Sequence, residues 1–280
     1  AVSSPARDAI PLGDGPRGHA TIAVDLTAPI VLTLDGEARE RVAFILDTGA
    51  SHTALAEAVA AQLGYQRANA PEIAHALTAP FDTERFDLTL DYGWGTREVG
   101  GIVLFENQAN IFGTAGLLGN DAFAGQSITI DFPGRMLHHG VASPLRGDLR
   151  YDHASGLILG TAQVPGQRDP VRVMIDSGAT VSLANTALSG PERRERIASR
   201  YVFETVVVRD RFPGANRSLM EGLSLGNLCM PPFFVTSADV HGFDQRGWSD
   251  TPAIILGMDV LKHTSPTARP VAPRPCPQST

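Results

Sequence analysis

Two aspartates stand in the same short motif, one in each half of the 280-residue chain. The motif is Asp-Thr-Gly-Ala at Asp47 and Asp-Ser-Gly-Ala at Asp176, and an apolar run precedes each aspartate. An apolar run followed by a tight, glycine-containing turn predicts a buried strand that delivers the aspartate into a loop. Two carboxyl groups held close together cannot both ionise cheaply, so one stays an acid while the other acts as a base. Such a pair could activate a water molecule.

A second motif, Leu-Gly-x-Asp, follows each aspartate in the same order. Gly119 stands 72 residues after Asp47, and Gly257 stands 81 residues after Asp176. The two aspartates are 129 residues apart, which is the length of a small domain. The repeated order therefore predicts two halves with a common fold.

The elements that must position these motifs read mostly as strands. Alternating or apolar runs predict strands at 41–46 and 171–175, which lead directly to Asp47 and Asp176. The clearest helix is predicted over 54–63, with Gly64 as its stop. The pattern predicts an all-β chain with short helices.

Composition divides the chain into four segments. A flexible N-terminal arm is predicted for 1–18, an N-terminal lobe for 19–147, a C-terminal lobe for 148–263 and an extended proline-rich tail for 264–280. Proline cannot donate to a strand ladder, so the tail is a poor counterpart of the strand predicted at 127–132. Either residues 19–26 or a second copy of the chain could fill that place.

Charge and composition exclude several classes of function. The formal net charge of −7 opposes nonspecific nucleic-acid binding, and no apolar stretch reaches the roughly 18 residues that cross a bilayer. The eight histidines show no metal-ligand spacing, which predicts no metal site. The glycines at 13, 15 and 18 match a dinucleotide fingerprint, but a strand-like run follows them where a helix is required. We therefore expect no cofactor.

These motifs resemble those of the aspartic proteases of the retropepsin and pepsin clan. The short halves, and Ala50 and Ala179 after the motif glycines, are more similar to the retropepsin side of that clan. The resemblance implies two pseudo-symmetric retropepsin-like β-barrel lobes with a cleft between them. It also implies an aspartic endopeptidase that hydrolyses peptide bonds in extended polypeptide segments, with Asp47 and Asp176 as the catalytic dyad.

The resemblance also implies roles for the neighbours of the dyad. Thr48 and Ser177 correspond to residues whose hydroxyl groups bond across to the opposite loop. Gly49 and Gly178 let the two loops approach, because a side chain there would hold the carboxyl groups apart. Segments that include Leu118, Gly119, Leu256 and Gly257 brace the loops from behind.

The alanines after the motif glycines bear on the pH optimum. A hydroxyl at position 50 or 179 could donate to the outer oxygen of an aspartate and lower its pKa, whereas Ala50 and Ala179 cannot. We therefore expect a mildly acidic optimum.

Two polar hairpins resemble the flaps of this family, one near 77–83 and one near 208–217. A flap closes over an extended peptide and excludes water from the cleft. The phenylalanines either contact substrate or are ordinary loop hydrophobes. The candidate flap residues are Leu77, Thr78, Phe81, Phe212 and Gly214.

The sequence leaves three hypotheses open. The first is an active single-chain protease, a two-lobed monomer acting on a peptide or protein substrate. The second is a catalytically silent peptide-binding module of the same fold. The third is a protease that needs a homodimer to complete its cleft.

Two further points stay open in the sequence. One is whether Cys229 and Cys276 are bridged. The other is whether the protein is in the cell envelope (periplasmic), secreted or cytoplasmic, the first two being favoured.

Overall fold

The structure, a computed structural model, describes residues 9–33, 36–91, 94–105, 113–139, 149–189, 216–226 and 228–263. These residues form many short strands and a few one- or two-turn helices, so the predicted all-β class is confirmed. The helices are α1 (Glu57–Gln62), α2 (Thr186–Ser189), α3 (His241–Asp244) and α4 (Met258–Leu261). The strands are β1 (Ala9–Pro11), β2 (Gly13–Asp14), β3 (Ala20–Thr33), β4 (Gly36–Leu46), β5 (Ala54–Ala56), β6 (Glu72–His75), β7 (Pro80–Thr83), β8 (Arg85–Asp91), β9 (Thr96–Leu104), β10 (Gly116–Leu118), β11 (Ile128–Asp131), β12 (Met136–His139), β13 (Arg150–Asp152), β14 (Leu157–Ala162), β15 (Val171–Ile175), β16 (Leu183–Ala184), β17 (Asn216–Met220), β18 (Leu223–Leu225), β19 (Leu228–Met230), β20 (Phe233–Ser237) and β21 (Ala253–Leu256).

The first half is built on one seven-stranded sheet with the order β2-β3-β4-β10-β5-β9-β8. Strand β10 enters late in the chain and lies between β4 and β5, parallel to β4 and antiparallel to β5. An additional antiparallel pairing of β3 with β8 joins the two sides of this order. The six strands β3, β4, β10, β5, β9 and β8 thereby form a closed ring.

The second half repeats this topology strand for strand, with the order β13-β14-β15-β21-β16-β20-β17. Strand β21 takes the place of β10, because it is parallel to β15 and antiparallel to β16. Both aspartates follow a strand that pairs in parallel with this inserted strand. The repeat seen in the motifs is therefore also a repeat in topology.

The strands that lead to the aspartates are buried on both faces. On β4, Phe44 and Leu46 pack into the main core of the first half, while Ile45 packs into a separate apolar cluster on the other face. On β15, Val173 packs into the main core of the second half and Met174 into another cluster. Burial on both faces explains why the ends of these strands, 44–46 and 173–175, are continuous apolar runs without alternation.

The predicted helix over 54–63 is shorter than expected and begins later. Residues 54–56 form β5, which pairs with β10 on one side and β9 on the other, and α1 spans only Glu57–Gln62. Pairing on both sides of β5 overrides the helical propensity of its two alanines, because helix propensity is a weak preference that tertiary contacts routinely outweigh.

The start of the chain also differs from expectation. Residues 9–14, predicted as part of a flexible arm, form β1, which pairs with β12, and β2, which pairs with β3. Strand β3, which covers most of 19–26, pairs within the sheet of the first half and does not supply a counterpart in the second. The tail at 264–280 and residues 1–8 lie outside the described residues, and the lobe boundaries at 147 and 263 stay predictions.

A small sheet with the order β1-β12-β11 contains strands of the first half only. Phe132, directly after β11, packs against the main cores of both halves. Phe132 is therefore one of the side chains that connect the two halves.

Candidate active site

The backbone of each aspartate is hydrogen-bonded to the inserted strand of its own half, β10 or β21. The backbone N–H of Asp47 donates to the carbonyl oxygen of Leu118 at 3.0 Å, and that of Asp176 donates to Leu256 at 3.0 Å. Both aspartate side chains are buried. The backbone carbonyl groups of Leu118 and Leu256 thus hold each Asp loop in a fixed position relative to its sheet.

Reciprocal hydrogen bonds join the two Asp loops. The Thr48 N–H donates to Ser177 Oγ (3.0 Å), and the Ser177 N–H donates to Thr48 Oγ1 (3.0 Å). Each hydroxyl then donates onward across the pair, Thr48 to the carbonyl of Ile175 (3.1 Å) and Ser177 to that of Leu46 (2.7 Å). Both hydroxyl groups are buried and fully used, so they lock the loops in one relative position. This is the arrangement that the family resemblance implies.

The motif glycines are required by the closeness of the two carboxyl groups. A Cβ atom on Gly49 would overlap the carboxyl group of Asp176, and one on Gly178 would overlap that of Asp47. The Gly49 N–H donates to Asp47 Oδ1 and the Gly178 N–H donates to Asp176 Oδ1, both at 2.9 Å. The glycines therefore admit the opposite carboxyl group and orient their own.

The bracing glycines lie against the backbone behind each loop. A Cβ atom on Gly119 would lie 2.6 Å from the His52 carbonyl oxygen, and one on Gly257 would lie 2.6 Å from the Val181 carbonyl oxygen. The carbonyl of Ala50 accepts from the N–H of Asn120 (2.9 Å), and that of Ala179 accepts from Met258 (2.7 Å). The two segments can approach this closely because residues 119 and 257 have no side chain.

Burial controls the ionisation of the dyad. Removal from water raises the pKa of Asp47 well above its usual range, and the neighbouring charge of Asp176 raises it further. Burial also raises the pKa of Asp176, while the hydrogen bond from Asp47 and the positive charge of Arg246 act in the opposite direction. The two carboxyl groups titrate as a coupled pair that holds one proton between them over a range of pH.

A second pair of buried side chains supports each loop, and sequence reasoning did not single it out. Thr53 Oγ1 donates to Asp121 Oδ1 at 2.7 Å, and Ser182 Oγ donates to Asp259 Oδ1 at 2.7 Å. The same hydroxyl oxygens accept from the bracing glycines, at 3.3 Å in the first half and 3.0 Å in the second. The signal was available, because each hydroxyl stands six residues after its loop aspartate and each acid two residues after its bracing glycine.

Two further residues connect the halves beside the dyad. The His19 ring lies with Nε2 2.9 Å from the Gly178 carbonyl oxygen and Nδ1 2.7 Å from that of Pro16. Asn120 Nδ2 donates to the carbonyls of Thr48 and Gly156, both at 2.8 Å. Nothing in the sequence pattern marks His19, because its partner in the second half is a backbone atom.

A cleft of about 460 Å³ opens over the two aspartates. This volume is within the usual range for ligand sites, and residues from both halves line the cleft. Leu77 and Phe81 of the first predicted flap are among the lining residues, and Phe81 also packs on an apolar cluster of the first half. Thr78 is buried, and its hydroxyl has no hydrogen-bond partner within the described part of the chain. Phe212 and Gly214 lie outside the described residues.

The hairpin of β6 and β7 reaches across the cleft to the second half. The Leu77 carbonyl accepts from the Gly242 N–H at 2.8 Å, and the Leu77 side chain packs against an apolar cluster of the second half. The rings of His75 and His241 stack with centroids 5.2 Å apart, and their Nδ1 and Nε2 atoms are 3.0 Å apart. The hairpin therefore covers the cleft and contacts α3.

Other observations concern metals, membranes and cysteines. Within the described ranges, no three His, Cys, Asp or Glu side chains are grouped so that they could hold a metal ion. None of the helices in those ranges is long and apolar enough to span a bilayer. Cys229 is disulfide-bonded, and Cys276 lies outside the described residues.

Comparison with known proteins supports the resemblance. Residues 30–122 match the family model of aspartyl proteases. A retropepsin-like aspartic protease from Rickettsia conorii shares 21% identity, with 47% of this chain and 89% of that chain covered and a TM-score of 0.33. No curated protein matches the chain. The fold assignment rests on the strand topology, since that TM-score reflects a poor superposition. Residues 30–122 are thus similar to the aspartyl proteases, and this match confirms the resemblance to aspartic proteases that the motifs predict.

Proposed function

We propose that this protein is an aspartic endopeptidase that hydrolyses peptide bonds through a water activated by Asp47 and Asp176. The observation that carries the proposal is the buried carboxyl pair held by reciprocal bonds between Thr48 and Ser177. A merely structural carboxyl pair would not need to face a cleft. The match of residues 30–122 to aspartyl proteases supports the same activity.

The chemistry needs one ionised and one protonated aspartate. Burial raises the pKa of both aspartates, but at Asp176 the hydrogen bond from Asp47 and, to a smaller extent, the positive charge of Arg246 oppose this rise, which favours Asp176 as the ionised base. In the proposed step, Asp176 takes a proton from water as the water oxygen bonds to the peptide carbonyl carbon. Asp47 gives its proton to the carbonyl oxygen, so the tetrahedral intermediate carries no net charge. Asp176 then gives its proton to the amide nitrogen while Asp47 takes a proton back from one hydroxyl group of the intermediate. The C–N bond breaks to leave a carboxylic acid and an amine, and the dyad returns to its starting protonation state.

The cleft favours an extended peptide. The hairpin of β6 and β7 lies over the dyad, and a strand-like substrate below it could form backbone hydrogen bonds with the hairpin. Enclosure by the hairpin would also exclude bulk water, which strengthens electrostatic interactions in the site. The proposed substrate is therefore an unstructured or locally unfolded segment of a polypeptide.

Substitution of each aspartate tests the proposal. We expect Asp47→Asn and Asp176→Asn each to lower kcat on an unstructured peptide by about 10³-fold or more, because each removes one proton-transfer group. Asp169→Asn is the matched control, since Asp169 is exposed and does not line the cleft. Peptide fragments would be measured by mass spectrometry across pH. Peptide binding without turnover by the unsubstituted protein would instead support the silent peptide-binding module.

We also propose that the protein works in an oxidising compartment, either the cell envelope or the exterior. The disulfide bond of Cys229 supports this location, because disulfides persist mainly outside the cytoplasm.

A further inference from the structure

Arg246 is a charged side chain of the cleft whose hydrogen-bond donors the proposed chemistry does not use. It follows α3 and lines the cleft together with Gly242 and the dyad. One guanidinium nitrogen, Nη1, donates to the Gly242 carbonyl at 2.5 Å. The Nε atom is buried and has no hydrogen-bond partner among the described residues. Since a guanidinium carries five N–H donors, most of its capacity is unused.

The half-buried guanidinium group of Arg246 has no direct counter-charge among the described residues. Within the described part of the chain, no carboxylate lies at ion-pair distance from it, although the charge of Asp176 acts on it from further away. Burying a charged group without a partner is unfavourable. The cost is smaller where a bound ligand supplies the missing negative charge and hydrogen-bond acceptors.

The cleft around Arg246 differs in charge from the whole chain. The chain carries a net charge of −7, yet the described charged residues of the cleft lining, apart from the dyad, are Glu72 and three arginines, Arg17, Arg85 and Arg246. Arg85 and Glu72 pair with each other at 3.0 Å. A cleft with this lining attracts an anionic ligand group more than the acidic surface does.

We propose that Arg246 forms a subsite for an acidic side chain of the peptide substrate. A glutamate or aspartate side chain of the bound peptide would accept hydrogen bonds from the free guanidinium donors, which suit the two oxygens of a carboxylate. Arg246 would thus determine specificity, selecting peptides with a carboxylate at one position near the cleaved bond. This inference rests on the proposed endopeptidase function and adds the substrate class.

Paired peptides test the subsite separately from the activity. Each pair has blocked termini and differs only by Glu or Gln at one position, so the side chain is the single variable carboxylate. The kcat/KM of both peptides is measured at one pH where glutamate is ionised. We expect the Glu peptide to be cleaved about 10-fold to 100-fold faster at one position, the range for hydrogen bonds to a charged group.

Substitution of Arg246 must then remove this preference. Arg246→Gln is expected to bring the Glu-to-Gln ratio close to one, while Arg246→Lys keeps part of it as a point charge. Arg168→Gln, at an exposed arginine away from the cleft, should keep the full ratio. Any change in the pKa of Asp176 cancels in the ratio, because the same enzyme cleaves both peptides. A folded Arg246 variant is recognised by its cleavage of the Gln peptide.

Two results would overturn the inference while leaving the protease proposal intact. One is cleavage of both peptides with no preference for Glu at any position. The other is a preference that Arg246→Gln and Arg246→Lys leave unchanged. If the unsubstituted protein cleaves no peptide at any pH, the proposed function itself fails and the subsite fails with it.

Discussion

At the scale of single residues, the site is defined by hydroxyl groups as much as by carboxyl groups. Thr48 and Ser177 join the two loops, and Thr53 and Ser182 join each loop to the acid behind it. Each of these side chains is almost completely buried. Buried hydroxyls with all their partners present fix one geometry, because any other position would leave a polar group unsatisfied.

The raised pKa values predict a mildly acidic pH optimum. One aspartate must be ionised, so a raised pKa moves the acidic limb of the pH profile to higher pH than in an unperturbed or depressed pair. Loss of the second proton also moves upward, which extends activity toward neutral pH. The pH dependence of kcat/KM measures both limbs of the profile. A maximum below about pH 3, the range expected when the pKa of the dyad is as low as in pepsin, would contradict the prediction.

A variant at Ala179 tests the cause of that optimum. The Ala179 N–H donates to Asp176 Oδ1 at 3.0 Å, but its side chain offers no donor. In Ala179→Ser, a hydroxyl bonded to the ionised carboxylate would lower the pKa of Asp176 and move the acidic limb to lower pH. Ala154→Ser, in an exposed turn, is the control and should leave the profile unchanged.

At the scale of elements, the hairpin of β6 and β7 belongs to the first half but contacts the second half directly. Its tip carries the Leu77 carbonyl that accepts from Gly242, and a Cβ atom on Gly242 would lie only 2.8 Å from Leu77 Cδ1. The missing side chain at Gly242 lets the hairpin lie directly on α3. We infer that the hairpin opens to let a peptide enter and then closes on α3 again over the bound peptide, so that these contacts hold the peptide in the cleft.

Removal of the His241 ring should weaken peptide binding more than chemistry. His241→Ala deletes the stacking and hydrogen-bonding partner of His75 while leaving the dyad intact. We expect KM to rise about 2-fold to 10-fold, the effect of one net hydrogen bond, with a smaller change in kcat. Steady-state kinetics on a peptide substrate measures both constants. His263→Ala, at an exposed position beyond α4, should change neither, and an unchanged KM in His241→Ala would show that the contact does not matter for binding.

At the scale of the whole molecule, one chain brings both aspartates to one cleft. The contacts that join the halves include the loop bonds, the Asn120 bond to Gly156 and the packing of Phe132 on both cores. Because both aspartates of one chain line the same cleft, we expect that a second copy is not needed to complete the dyad.

Mixing two inactive variants distinguishes these states. If the cleft is built within one chain, an equimolar mixture of Asp47→Asn and Asp176→Asn stays inactive, because no chain carries both carboxyl groups. Specific activity of the unsubstituted protein should also stay constant over about three decades of concentration. Recovery of activity in the mixture, or activity that rises with concentration alongside a dimer peak in light scattering, would support the homodimer.

The sequence by itself determined the local parts of this protein. The apolar runs before Asp47 and Asp176, the glycines that follow them and the later Leu-Gly segments are short-range patterns, so they predicted buried strands, tight turns and a repeated half. The all-β class followed from the same periodicity. The range of the predicted helix at 54–63 was wrong because pairing of β5 on both sides is a long-range effect that propensity does not report.

Only the tertiary structure decided what lies beside the dyad. His19 and Arg246 are far from the motifs in sequence, and Asn120 is the variable residue of the first Leu-Gly-x-Asp motif. The relevant partners of these residues are backbone carbonyls or the open cleft. Every residue has a backbone carbonyl, so a contact with one cannot be recognised from the residue types in the sequence. The Thr53 and Ser182 pairs could have been found from their repeated spacing, because there both partners are side chains. The charge of the cleft likewise depends on which arginines the fold brings together, which spacing along the chain does not determine.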